Sequence, residues 1–149
     1  MTVASGRTTA RVPGARRALA VALAVTGLLA VVGCGAPGPR EDDAVSAARA
    51  FEDALAAARY GQACALLAPQ TRQQVADGQE CAGALAKERL PAAPGAGPEP
   101  PAEVYGRQAW VRLGGDTLFL SQFDEGWKII AAGCTPRTDL PYDCKVKKG

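Results

Sequence analysis

Five cysteines, at positions 34, 64, 81, 134 and 144, carry the most definite chemistry in this chain, and they stand in a sequence with no histidine. Four thiolates can hold zinc, but structural zinc sites draw on closely spaced CxxC pairs and imidazoles, and this sequence has neither. Neither a metal nor a cofactor is therefore expected. Without histidine, acid–base chemistry falls to the carboxylates, the lysines and Tyr60, Tyr105 and Tyr142. Most of the carboxylates sit where a structural job explains them. Asp42 and Asp43 precede a helix, Asp53 falls on that helix's polar side, and Asp116, Asp124 and Glu125 lie in turns. Glu52 borders the apolar stripe of the same helix, and the expectation is a head group kept in water. No nucleophile elbow, phosphate loop or spaced carboxylate pair occurs, so no catalytic residue is assigned.

Cys34 stands apart from the other four. Arg7, Arg11, Arg16 and Arg17 are the charged residues ahead of an uncharged, mostly apolar run of 15 residues from Ala18 to Val32. Crossing the hydrocarbon core as a helix takes about 20, so the run reads as a secretory signal rather than a span. The VVGC at 31–34 resembles the lipobox of bacterial lipoproteins, whose cysteine carries diacylglycerol and becomes the first mature residue. Two acyl chains anchor stably where one does not, and GAPGP at 35–39 then makes sense as a tether. An ordinary cleaved signal that happens to be followed by cysteine explains less, since Gly33, the arginines and the tether all agree. Arg16 and Arg17 also resemble a twin-arginine signal, although their surroundings match poorly, and the export route stays open. The expected location is the extracytoplasmic face of the cell membrane, with the membrane itself as a partner through the lipid on Cys34.

Cleavage alters the charge balance. Removing four arginines from the 17 basic residues leaves 13 against 15 acids, about −2. No basic excess remains to neutralise phosphates, so nucleic acid is not an expected partner. The KVKK at 145–148 is the one dense basic cluster, and it reads as a solvated terminus. The mature length suits one compact domain.

Cys64, Cys81, Cys134 and Cys144 form an even set in a chain expected outside the cytoplasm, where disulfides persist. Three pairings exist. Cys64 with Cys81 and Cys134 with Cys144 is favoured, because each pair lies within one local unit and closes a short loop.

The elements that must position these residues divide at a proline-rich stretch. Before it the chain is rich in alanine. Ala44, Ala48, Phe51, Leu55 and Ala58 recur at spacings of three and four, with Ser46, Arg49 and Asp53 opposite, which predicts an amphipathic helix introduced by acids. Gly61 reads as its break. Short helices are expected over 62–67, 71–76 and 80–90, the second stopping at Asp77 and Gly78. From Pro91 to Pro101 five prolines forbid helix and mark a loop or linker; interruption by glycine and the want of a basic anchor speak against a polyproline ligand. Beyond it VYGRQAWVRL, TLFLSQF and WKIIAAGC, joined by GGD and DEG, predict a three-stranded meander. Phe119, Phe123, Trp127 and Ile129 are expected in its core. The segment CTPRTDLPYDC is expected as a loop ordered by closure of Cys134 on Cys144.

Helices first, a turn-rich middle and then a meander carrying a DEGWKI turn is similar to the nuclear transport factor two-like superfamily of cone-shaped α+β rolls, over about 43–133. VVGC, QACALLAP, ECAGAL, DEGWKIIAAGC and PYDC together resemble a group of small actinobacterial lipoproteins, and a composition heavy in Ala, Gly, Pro and Arg with no Asn fits a high-GC genome. The expected architecture is α+β, with N-terminal amphipathic helices packed on a C-terminal, curved antiparallel sheet of three or more strands. The expected organisation is a signal at 1–33, a lipidated cysteine and tether at 34–41, and one domain at 42–149 with a proline-rich loop at 91–101. That roll hosts isomerases, dehydratases and many modules without chemistry, so fold alone does not assign activity. Two functions are carried forward. One is a non-catalytic binding or accessory module that holds an envelope protein or small ligand. The other is a small-molecule or lipid-binding enzyme or carrier, with a pocket lined by Trp110, Phe119, Phe123 and Trp127, where Tyr105 or Arg107 orients the ligand.

Overall fold

The structure is a computed structural model, and it describes residues 38–92 and 100–147. The signal, VVGC and most of the tether lie outside the described residues, as does the middle of the proline-rich loop. The described domain is α+β: helices α1 (Pro39–Ala56), α2 (Tyr60–Leu66), α3 (Pro69–Ala76) and α4 (Cys81–Lys87) precede strands β1 (Ala102–Tyr105), β2 (Gln108–Leu113), β3 (Asp116–Phe123), β4 (Gly126–Arg137) and β5 (Leu140–Lys147). Among the described residues no helix is long and apolar enough to cross a membrane.

Helix α1 begins earlier than its periodicity suggests, inside the expected tether. Pro39 occupies the first turn, where its missing N–H costs nothing, and the Glu41 carboxylate reaches back to accept the Gly38 N–H. Glu41 and Asp42 thus sit in the positive first turn rather than before it. The helix stops at a left-handed Ala58, with φ of 52°, so Ala58 leaves the stripe and Gly61 falls inside α2. The stop at Asp77 and Gly78 is as expected, both with positive φ. Glu80 caps α4 by accepting from the N–H groups of Ala82 and Gly83 at 3.0 and 2.8 Å.

The sheet has five antiparallel strands in the order β1-β2-β3-β4-β5, two more than the meander expected, and is neither closed nor strongly curled. The expected first strand, VYGRQAWVRL at 104–113, is broken by a turn at Gly106 and Arg107, Gly106 with φ of 58°, into the end of β1 and β2, and proline hides the rest of the extra strands. β1 follows Pro100 and Pro101 directly, and the expected loop after Gly133 is instead a β4–β5 hairpin. Pro136 falls at its register shift, where no ladder bond is lost, and Pro141 lies near the start of β5 on the sheet's edge. The KVKK segment belongs mostly to β5, whose Val146 is buried in the core, so it is no solvated terminus.

Register decides which side chains meet the helices. Val111 opposes Leu118 and Ala109 opposes Leu120, while Leu120 in turn opposes Ile129. An irregularity then places Phe119 opposite Ala131, leaving Ile130 as the extra residue of a bulge. The bulge resets the alternation on β4, so Trp127, Ile129 and Ala132 join the core while Ala131 goes with Phe119. The core is filled by Ala44, Ala48, Phe51 and Leu55 of α1 against Val111, Leu118, Leu120 and Ile129 of the sheet. Burying each of the larger aliphatic or aromatic side chains is worth about 1.5–3 kcal/mol. Alanines at the contact let α1 lie close to the sheet and Phe51 and Trp127 supply the aromatic bulk, so Phe119 and Phe123, expected in the core, lie outside it. Trp127 and Ile129, also expected there, lie within it.

Below the end of β5, the outer edge of β4 is covered by the α2–α3 connection. Leu67 bridges to Ile129, the Ala68 N–H donates to the Ile129 carbonyl at 2.8 Å, and the Thr71 hydroxyl donates to the Ile130 carbonyl at 3.2 Å. This covers backbone groups that would otherwise stand as a bare sheet edge.

Candidate functional site

All four domain cysteines are paired, Cys64 with Cys81 and Cys134 with Cys144, closing separations of 17 and 10 residues. The first bond ties α2 to the start of α4, and the second closes the β4–β5 hairpin. Among the described residues no cluster of His, Cys, Asp or Glu is arranged to hold a metal.

Asp116, expected in a turn, is a buried carboxylate at the start of β3. Its Oδ1 accepts the N–H groups of Thr117 and Cys134, at 2.6 and 2.7 Å, and its Oδ2 that of Gly133 at 2.7 Å. Three backbone donors on one carboxylate make it a structural clamp between β3 and the disulfide hairpin. Glu52 departs from its expected place in water and is fully buried. It stands seven residues after Val45 and three before Leu55, which puts it within the stripe rather than at its border.

The six residues expected to line a pocket are divided between two faces of the sheet. Trp127 lies on the helix side, its ring 5.8 Å from the Arg40 guanidinium. Trp110, Phe119 and Phe123 project from the opposite face, half-buried and outside the core cluster. Tyr105 and Arg107 flank the β1–β2 turn. The Tyr105 hydroxyl donates to Glu103, which raises its pKa above the ordinary 10.0 chiefly through that bond and then through the carboxylate's charge.

On the face turned from the helices, Trp110 and Phe119 are direct cross-strand neighbours in a row that runs Glu103, Trp110, Phe119, Ala131, Lys147. The Arg112 guanidinium lies 4.8 Å over the Trp110 ring, and Tyr142 meets Phe119 edge-on with centroids 5.2 Å apart. Aromatic rings joined by a planar cation give rigid, amphipathic contact area, and the neighbouring Gln108 and Ser121, hydrogen-bonded to each other at 2.9 Å, add polar groups beside it.

Arg112 carries no mark in the sequence, and Tyr142 counts there only as one of three tyrosines open to acid–base chemistry. Strand alternation alone would have placed Arg112 beside Trp110, two residues on, whereas Tyr142 was hidden in a segment read as loop. A groove of about 650 Å³ lies between α3, α4 and β5 and is lined among others by Gln74, Asp77, Lys87, Glu88, Lys145 and Lys147. Its residues come from three separate elements, and no local pattern announces it. The Lys145 ammonium there donates to the Arg89 carbonyl at 3.1 Å, and Lys87 donates to Gln79 at 3.3 Å.

Compared with known proteins, the chain matches no family model, no curated protein and no solved structure.

Proposed function

We propose that this chain is an extracytoplasmic lipoprotein, held to the membrane by diacylglycerol on Cys34, whose domain is a non-catalytic binding or accessory module for an envelope protein or small ligand. The observation that carries the binding role is the row of Trp110 and Phe119 with Arg112 and Tyr142 on the sheet face away from the helices. A protein that needed those rings for stability alone would bury them in the core, and here the core is filled without them. Closure of both cysteine pairs supports an oxidising compartment. Similarity to the nuclear transport factor two-like rolls is part of the same proposal.

The second reading, a small-molecule or lipid-binding enzyme or carrier, draws on the groove between α3, α4 and β5, whose volume of about 650 Å³ suits a small ligand. Its lysines favour an anionic or polar one.

Intact mass spectrometry of protein extracted from its native membrane tests both. The denatured mass should equal a chain from Cys34 plus diacylglycerol, less four hydrogens for two disulfides; an unmodified or uncut chain overturns the anchor. A partner or ligand retained in the native spectrum by wild type and lost from Trp110→Ala supports the sheet face. Retention that survives Trp110→Ala but not Lys87→Ala shifts the site to the groove.

A further inference from the structure

The described chain starts at Gly38, immediately before α1, and the first turn of α1 is fixed to one end of the sheet. The Arg40 guanidinium donates to the Gly106 carbonyl in the β1–β2 turn and to Gln122 Oε1 at 2.8 Å near the end of β3, and it lies over the Trp127 ring. In an antiparallel meander the β1–β2 and β3–β4 turns share one end, while the β2–β3 and β4–β5 turns share the other. The chain therefore enters the domain beside the turns at 105–107 and 123–126.

Cys34 precedes Gly38 by four residues, so an extended chain reaches at most about 14 Å between them. Strand β4, with 12 residues, is about 40 Å long at 3.3 Å per residue. A lipid on Cys34 thus holds the near end of the sheet at the bilayer, and the far end cannot take its place without the near end remaining close.

The near end is also built as one piece with surface chemistry suited to that position. Arg107 donates to the Gln122 carbonyl through Nε and a terminal nitrogen, at 3.0 and 2.6 Å, and its guanidinium lies 3.8 Å from the Asp124 carboxylate, joining the two turns. Tyr105 is 65% exposed there, with its hydroxyl donating to Glu103, and Phe123 is half-buried at the end of β3. A phenol ring with a polar tip sits well at headgroup level, and a long arginine can keep its charge at the phosphates while its stem lies lower. Arg40 and Arg107 are outnumbered by Glu41 and Asp42 in the first turn of α1 together with Asp124 and Glu125, so the contact is not an electrostatic attraction to anionic lipid.

We infer that the turns at 105–107 and 123–126, with Tyr105 and Phe123 foremost, are the surface that the domain lays against the lipid headgroups. This rests on the proposed lipidation of Cys34. The sheet then stands on end, with the Trp110 face turned sideways, available to an envelope partner.

Brominated lipid tests this. The lipidated mature protein, its mass confirmed, is placed in vesicles of phosphatidylcholine with or without bromine on the acyl chains near the headgroup, as wild type, Tyr105→Trp and Leu140→Trp. Both replaced residues are exposed, and Leu140 marks the far end at 55% exposure. Tyr105→Trp should lose most of the emission it adds over wild type in brominated vesicles, while the emission that Leu140→Trp adds over wild type changes little, and added phosphatidylglycerol should alter neither. Unquenched Tyr105→Trp in protein of the correct mass overturns the orientation alone. Quenching of wild type that is absent from Trp110→Phe also overturns it, since Trp110 is then at the bilayer and the domain lies on its face. A mass without diacylglycerol overturns the anchor, and this inference with it.

Discussion

Asp116 Oδ2 accepts the backbone N–H of Gly133 at 2.7 Å, tying the first residue of β3 to the point where β4 runs on into the disulfide-closed hairpin. Because Oδ1 takes two further N–H groups, the carboxylate serves as a surrogate strand where the regular β3–β4 ladder has ended. Replacing it by Asp116→Asn turns one acceptor into a donor that faces an N–H. The expected cost is about 2–3 kcal/mol, read from the urea midpoint, because buried backbone donors are left unsatisfied. A loss below about 0.5 kcal/mol would show that the clamp is dispensable.

Gly133 is needed for a second reason. It has φ of 68°, and a Cβ there would stand 2.7 Å from Leu90 Cδ2 and 3.1 Å from Lys145 Cβ. Gly78 has φ of 76° with nothing within 4 Å, so Gly78→Ala meets left-handed strain alone, about 1 kcal/mol. Gly133→Ala should cost more than Gly78→Ala by the steric part, and paired thermal melts read the difference.

Loss of either disulfide, by Cys64→Ser with Cys81→Ser or by Cys134→Ser with Cys144→Ser, should destabilise by about 3 kcal/mol on the chain-entropy estimate, since separations of 17 and 10 differ little on a logarithmic scale. Unfolding in urea with and without reductant checks this.

Truncation should separate the two faces of the sheet. Leu120→Ala removes a fully buried side chain and should cost about 2–5 kcal/mol. Trp110→Ala and Phe119→Ala, outside the core cluster, should cost about 1 kcal/mol each, mostly lost ring contacts. Equal losses on both faces would remove the argument that the outer aromatics are kept for binding.

Glu80 carries a pH signature. The N–H groups of Ala82 and then Gly83 bind its carboxylate and hold its pKa below the ordinary 4.5. A lowered folded-state pKa gives stability that is present above 4.5 and lost as pH falls through the lowered value. The melting-temperature gap between wild type and Glu80→Gln should therefore persist at neutral pH and close in acid.

The α+β class, the order of helices before strands and the three central strands, the first read too long, are legible in the sequence by itself, and the favoured one of three cysteine pairings is the one found. These features are local: spacings of three and four around Phe51, alternation across TLFLSQF, and cysteines within 17 residues of each other. The outer strands were not legible, because Pro100, Pro101, Pro136 and Pro141 are the usual marks of loops and only an edge position or a register shift makes them tolerable. Nor was the core. A single bulged residue, Ile130, reverses the alternation of β4, and close packing of an alanine-lined α1 fills the inner face without Phe119 and Phe123. Only tertiary structure could turn Asp116 from a turn residue into a clamp, draw Glu52 inside, and set Arg112 and Tyr142 around Trp110 and Phe119. Each of these depends on register and on contacts between distant segments, where the chemistry of one residue is decided by neighbours the local sequence does not contain.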